Sequence, residues 1–240
     1  MKPEIYTHHH ARIVYDADRI TEVHDALLCP QYWQQQQAVF GQARGRGNTV
    51  FVATPFGRAA LREYRRGGWP ARVSRDRYLF LGFQRSRPFR EFHLLARLFV
   101  DGLPVPAPLA ARCERHGMYY RGALMTRLLP DTTTLAEWLL NPHHHGEALL
   151  ECVGRVIRTF HAGGVDHADL NVRNILVNAD DQAVYLVDFD RSTYRPGHRV
   201  NGDKNIRRLE RSVQKLNLSL PGINAGTAWA AIMRGYHGAS

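Results

Sequence analysis

The 240-residue sequence predicts an α+β protein of two lobes, β-rich in its first half and mainly helical in its second. Three observations carry that expectation. "NTVFVAT", "RAALREY" and "RYLFLGF" are short runs rich in β-branched and aromatic residues, and they lie close together between 48 and 83. "GEALLECVGRVIRTFHAGG" (146–164) places Leu149, Cys152, Val153, Val156, Ile157 and Phe160 at i, i+3, i+4 spacing, which is one apolar helix face. Between these regions "LPVPAPLAA" (103–111) has alternate prolines, which exclude helix and read as an extended connection. The expected division is 1–125 and 126–240, two lobes of one domain with a cleft between them.

The elements follow in order. The first forty residues have no clear period apart from "CPQYWQQQQAVFG", a short helix or strand entering a glycine-rich turn. "PFG" (55–57) turns "NTVFVAT" back into "RAALREY". "SRPFREFHLLARLFVDG" (86–102) reads as a helix with Ser86 as N-cap, Pro88 in the first turn and Gly102 at the end. "YYRGALMTRLL" suits a strand and "TLAEWLL" a short helix. "NILVN" and "AVYLVDF" are strands around the turn "ADDQ". A closing helix carries Ile206, Leu209, Val213, Leu216 and Leu220 on one stripe.

Composition narrows the class. A hydrophobic content of 44% excludes global disorder. No apolar run approaches the ~18 residues of a spanning helix, and the first thirty residues lack a signal-peptide core, so the chain is expected to stay where it is made. Cys29, Cys113 and Cys152 are odd in number and far apart, as in a reducing compartment. The triplets His8–His10 and His143–His145 lack metal-ligand spacing and read as solvated loops. A net charge of +10, mostly arginine, points to an anionic partner: nucleic acid, an anionic membrane or a phosphorylated substrate. No zinc finger, ribonucleoprotein motif or helix-turn-helix supports the first of these.

"HADLNVRN" (167–174) carries the chemistry. Phosphoryl transfer needs one carboxylate at the acceptor hydroxyl, and hard oxygen ligands to hold magnesium on the nucleotide phosphates. The spacing resembles the protein-kinase catalytic loop H-R-D-L-x-x-x-N, with Asp169 at the base position and Asn174 at the metal-ligand position. A hairpin later, "VDFD" puts Asp188 where the D-F-G aspartate sits, with Asp190 replacing the glycine. Alone, each string is weak; together, behind the long helix, they are specific. Upstream, Gly45 and Gly47 in "GQARGRGNTVF" give a loop for phosphate approach or simply a flexible hairpin tip. "AALR" puts Arg62 where V-A-I-K has its lysine. Glu91 shares a stripe with Leu94, Leu95 and Leu98, so it either turns inward to Arg62 or pairs at the surface with Arg87 or Arg90.

On "GRG", "ALREYRRGGW", "SRPFREFHLLARL", "GLPVPAPLAAR", "HADLNVRNIL" and "VDFDRS", the chain resembles the 3-deoxy-D-manno-octulosonic acid (Kdo) kinases of the lipopolysaccharide kinase family, which have a protein-kinase-like fold. The likeness covers roughly 41–192, and "NIRRLERSVQKL" extends it. It implies ATP-dependent, magnesium-assisted phosphorylation of the Kdo 4-hydroxyl of Kdo-lipid IVA, at the cytoplasmic face of a Gram-negative inner membrane. It also implies Asp169 as base, Asn174 and Asp188 as metal ligands, and Arg62 with Glu91 as the nucleotide ion pair. The expected partners are the glycolipid and an anionic membrane surface; no nucleic acid is expected and no obligate protein partner is evident. Arg65, Arg66 and Arg72 are candidates for acceptor contact or a solvated basic hairpin, and Trp69 for the membrane interface or strand packing. Arg207, Arg208 and Arg211 are candidates for binding anionic lipid. A heptose kinase of the same family, a RIO-like protein kinase, a pseudokinase and a basic nucleic-acid-binding module remain the alternatives.

Overall fold

A computed structural model describes residues 1–43, 49–64, 78–141, 146–178, 180, 182–216, 219–220 and 223–238. The chain divides into two compact units, Met1–Val100 with Pro106–Leu128, and Asp101–Val105 with Leu129–Ser240. The first is built on a sheet and the second mainly on helices, so the architecture is the kinase-like α+β arrangement that the sequence predicts.

In the first unit β1 (Pro3–His8) and β2 (Ala11–Asp16) form a hairpin, followed by α1 (Pro30–Gln35). Then come β3 (Val39–Gln42), β4 (Thr49–Thr54), β5 (Gly57–Glu63), β6 (Tyr78–Leu79), a 3-10 turn at Phe83–Arg85 and α2 (Arg87–Val100). β7 (Pro108–His116) and β8 (Tyr119–Arg127) complete an antiparallel sheet of order β1-β2-β7-β8-β5-β4-β3, with β6 alongside β8. One core gathers Ile13, Val52, Leu61, Leu109 and Met125 with Trp33, whose indole N–H donates to Leu27 O at 2.8 Å. Ala59 and Leu61 are fully buried on β5, so the two-residue period turns Arg62 to the opposite face. α2 covers that face with Phe89, Phe92 and Leu95, and Glu91 is buried among them.

Several elements differ from the sequence reading. The β1–β2 hairpin had no clear signal because β1 is an edge strand with only partial burial. "RYLFLGF" holds a strand of only two residues. The prolines of "LPVPAPLAA" exclude helix but not strand: Pro108 opens β7, where a missing N–H is tolerated. Ser86 stands directly before α2, at the N-cap position, and its hydroxyl donates to Phe83 O at 2.6 Å. The C-terminal stripe is divided, with Leu220 in a small hairpin after the helix.

The second unit contains β9 (Thr133–Thr134), α3 (Leu135–Leu140), α4 (Glu147–Gly163), β10 (Val165–Asp166), β11 (Ile175–Val177), β12 (Val184–Leu186) and β13 (Thr193–Tyr194). α5 (Asp203–Gln214), the hairpin β14 (Ser219–Leu220) and β15 (Ile223–Asn224), and α6 (Ala225–His237) follow. Thr134 and Glu137 form a capping box on α3. Gly164, at φ 98°, ends α4 in the left-handed conformation and sends the chain into the segment that carries "HADLNVRN". The small sheets order as β12-β11-β9 and β10-β13.

α4 and α6 meet backbone to backbone. A Cβ at Gly154 would stand 2.0 Å from Ile232 O, and one at Gly235 would stand 1.9 Å from Glu151 O. Gly154→Ala must therefore push the helices apart and should cost about 1–3 kcal/mol, read as a lower urea midpoint. Nothing lies within 4 Å of a Cβ at Gly163, so Gly163→Ala should leave that midpoint unchanged or raise it.

Candidate active site

The segment after α4 lacks a regular ladder, and its polar backbone groups are satisfied one by one. The His167 ring accepts from Asp169 N through Nδ1 (3.2 Å) and donates from Nε2 to Val187 O (3.0 Å). His167 N donates to Asn205 Oδ1 (3.1 Å), Ala168 N to Ser192 Oγ (3.0 Å) and Val172 N to Ser212 Oγ (3.2 Å). Asn174 Nδ2 donates to Asp169 O (2.9 Å), which leaves its Oδ1 as the atom able to ligate a cation. Val187 N donates to Asn174 O (3.0 Å), tying the loop to the strand that ends before Asp188.

Asp188 itself sits at φ 63°, a left-handed conformation that costs a non-glycine residue about 1 kcal/mol. Three contacts hold the segment in place. Val187 O is fixed by His167, and Phe189 is fully buried, stacked on Phe160 at 5.9 Å and tilted against the His167 ring at 4.8 Å. Asp169, Asn174 and Asp188 are thus carried by one hydrogen-bonded frame within the second unit. No cluster of three or more His, Cys, Asp or Glu side chains suited to a metal occurs among the described residues. One amide oxygen and one carboxylate suit a hard cation that takes its remaining ligands from phosphate and water.

The Asp169 carboxylate is exposed and already engaged. Arg208 Nη1 donates to its Oδ1 at 2.7 Å and Asn171 Nδ2 to its Oδ2 at 3.2 Å. Arg208, a candidate for lipid contact in the sequence, has this nearer partner. α5 therefore supports the segment through Asn205, Arg208 and Ser212. None of these was singled out for the site from sequence, although a polar Asn205 four residues before buried Leu209 was a readable signal. Asn205 also accepts from His161 Nε2 (3.1 Å) and donates to Asp166 (2.9 Å). Because Oδ1 only accepts, His161 carries its proton on Nε2 and takes the Tyr236 hydroxyl at Nδ1 (2.8 Å).

In the first unit Glu91 does turn inward. Its carboxylate, 2% exposed, receives Arg62 Nη2 at 2.7 Å on each oxygen, and the Tyr64 hydroxyl also donates to it. The Arg62 guanidinium lies 4.9 Å from the Tyr64 ring centroid. Sequence reasoning missed Tyr64, which lies two residues beyond Arg62 on the same face. Gly45 and Gly47 lie outside the described residues, as do Arg65, Arg66, Trp69, Arg72 and His143–His145.

A β-rich unit holding an arginine–glutamate pair whose carboxylate is buried, and a helical unit holding an H-x-D-x-x-x-x-N loop braced against a V-D-F segment, are features of a kinase-type phosphotransferase. The family model described as "Lipopolysaccharide kinase (Kdo/WaaP) family" matches residues 30–236. The chain belongs to that family. It is 40% identical over 230 residues to the 3-deoxy-D-manno-octulosonic acid kinase of Xanthomonas oryzae pv. oryzae (strain PXO99A), covering 93% of this chain and 88% of the relative. The protein of that name from Xanthomonas campestris pv. campestris (strain B100) is 42% identical over 210 residues, covering 85% and 80%. That from Xylella fastidiosa (strain M23) is 40% identical over 209 residues, covering 87% and 82%. Among the described residues no helix is long and apolar enough to cross a membrane.

Two outcomes follow from this geometry. Removing either member of the Arg62–Glu91 pair removes this contact, so a double-mutant cycle on stability should give a coupling of about 0.5–3 kcal/mol. Strict additivity would mean that the side chains do not meet in solution. Burial also lowers the proton affinity of His161 and His167, and of His93 on α2, from the ordinary value of 6.5. A base depressed by folding contributes stability above its unfolded value and loses it as pH falls through the folded value. The melting temperature should therefore drop as pH is lowered below 6.5, and less steeply in His161→Gln. A melting temperature constant from neutral pH down to the carboxylate range would contradict neutral burial of these rings.

Proposed function

We propose that the chain is an ATP-dependent kinase that phosphorylates the 4-hydroxyl of Kdo in Kdo-lipid IVA during lipopolysaccharide core biosynthesis, working at the cytoplasmic face of the inner membrane. The observation that carries this reading is the frame joining Asp169, Asn174 and the left-handed Asp188 through His167. The names of the Xanthomonas and Xylella relatives support the acceptor sugar. The net charge of +10 suits an acidic, phosphorylated glycolipid in an anionic bilayer.

In this reading Asp169 orients the acceptor hydroxyl and takes its proton. The hydroxyl oxygen bonds to the γ-phosphorus, the bond from that phosphorus to the bridging oxygen breaks, and ADP leaves with the electron pair. Arg208 is a positioning residue that holds the Asp169 carboxylate in a fixed orientation. Asn174 Oδ1 and the Asp188 carboxylate would hold magnesium, which when bound neutralises charge on the phosphates. The family resemblance assigns Arg62, fixed by Glu91 and Tyr64, to the nucleotide phosphates, together with Gly45 and Gly47.

The roles predict variants that differ in kind. Asp169→Asn keeps the shape but removes the base, so nucleotide binding should persist while transfer falls by about a hundredfold or more. Asp188→Ala should lose magnesium-dependent nucleotide binding together with turnover. Equal nucleotide affinities in the two variants, or parental transfer by Asp169→Asn at saturating acceptor and magnesium, would remove these assignments.

A further inference from the structure

The sheet of the first unit carries an apolar edge with no role in the chemistry above. Among the described residues nine large hydrophobic side chains are exposed, and four of them, Leu79 (51%), Leu81 (63%), Met118 (68%) and Tyr119 (41%), fall on adjoining backbone. Leu79 pairs in register with Tyr119, and Phe80 N donates to Met118 O at 2.8 Å. Alternation explains their direction. Tyr78 is buried and stacks on Tyr120 at 5.4 Å, and Phe80 packs edge-on against Phe83 at 4.9 Å. Leu79 and Leu81 therefore point the other way, to solvent.

Arginines collar this tip. Arg85 and Arg115 are both exposed, and Arg115 is braced by donating Nε to Gly117 O at 2.9 Å, with its guanidinium 4.9 Å from the Phe80 ring centroid. The nearby carboxylate, Glu114, is taken up by Arg112 at 2.7 Å. Four apolar side chains on a hairpin tip are too few for the roughly 800 Å² per partner of a stable protein interface. They match the depth and charge of a lipid headgroup layer, in which apolar side chains reach the acyl boundary while guanidiniums bind phosphate.

We propose that this edge is a docking surface for an anionic bilayer, with Leu79, Leu81, Met118 and Tyr119 inserting and Arg85 and Arg115 gripping lipid phosphates. The inference extends the lipid-linked acceptor proposed above, but its test does not depend on that acceptor. Flotation compares vesicles containing phosphatidylglycerol with vesicles of phosphatidylcholine alone. The parent should float with the former, less so as salt rises. Leu81→Ser/Met118→Ser should weaken binding by about tenfold or more, with unchanged melting temperature because both side chains are exposed. Arg85→Gln/Arg115→Gln should weaken it by about fivefold for each arginine and flatten the salt dependence. Transfer to a detergent-dispersed Kdo acceptor should stay at the parental rate in both variants. Parental flotation by both variants, binding indifferent to lipid charge, or loss of self-association in place of lipid binding would each overturn the proposal. Absence of transfer in the parent would count against the proposed function and leave the flotation result standing.

Discussion

The candidate site rests on one constraint: a loop segment without regular secondary structure must satisfy buried backbone polar groups from elsewhere. Here the partners come from far along the chain. Asn205 and Ser212 on α5 and Ser192 after the V-D-F segment accept the N–H groups of His167, Val172 and Ala168. Once those bonds are made, Asp169 and Asn174 have little freedom, because a change at any anchor leaves an unsatisfied N–H at a cost of about 1–3 kcal/mol. The rigidity that the proposed chemistry requires and the polar satisfaction that folding requires are met by the same atoms.

Charge is handled differently in the two units. Glu91 is almost fully buried, which is tolerable because Arg62 and Tyr64 both donate to it. The pair links β5 to α2 and leaves the guanidinium about a quarter exposed, with its position fixed. Asp169 is exposed, so its pairing with Arg208 adds little stability and serves orientation instead. A strained Asp188 between a pinned Val187 and a fully buried Phe189 completes the contrast: packing on both sides outweighs the backbone strain.

Much of this was legible in the sequence where local rules are strong. α4 showed itself through its apolar spacing, and β4, β5 and β8 through β-branched and aromatic runs. The spacing of "HADLNVRN" and "VDFD" brought forward the residues that the structure joins through His167. The inward turn of Glu91 followed from a charge on an apolar stripe. What stayed hidden is what depends on distant partners. β2 gains its strand character from pairing with β7, and β1 from pairing with β2, and β7 lies behind prolines that excluded helix without indicating strand. The tie from Arg208 to Asp169 spans 39 positions and leaves no periodic trace. The close approach of α4 and α6 appears only once Gly154 and Gly235 face opposing backbone.

The central claim is that this loop transfers phosphate to a Kdo hydroxyl on a lipid anchor. It is tested most directly by incubating the protein with γ-labelled ATP and magnesium, with lipid IVA as acceptor in one reaction and Kdo-lipid IVA in the other. Label should appear on the Kdo-bearing lipid alone, with the phosphate on the Kdo 4-oxygen in the product. Label on lipid IVA itself, or on neither lipid while ATP is bound, would contradict the account.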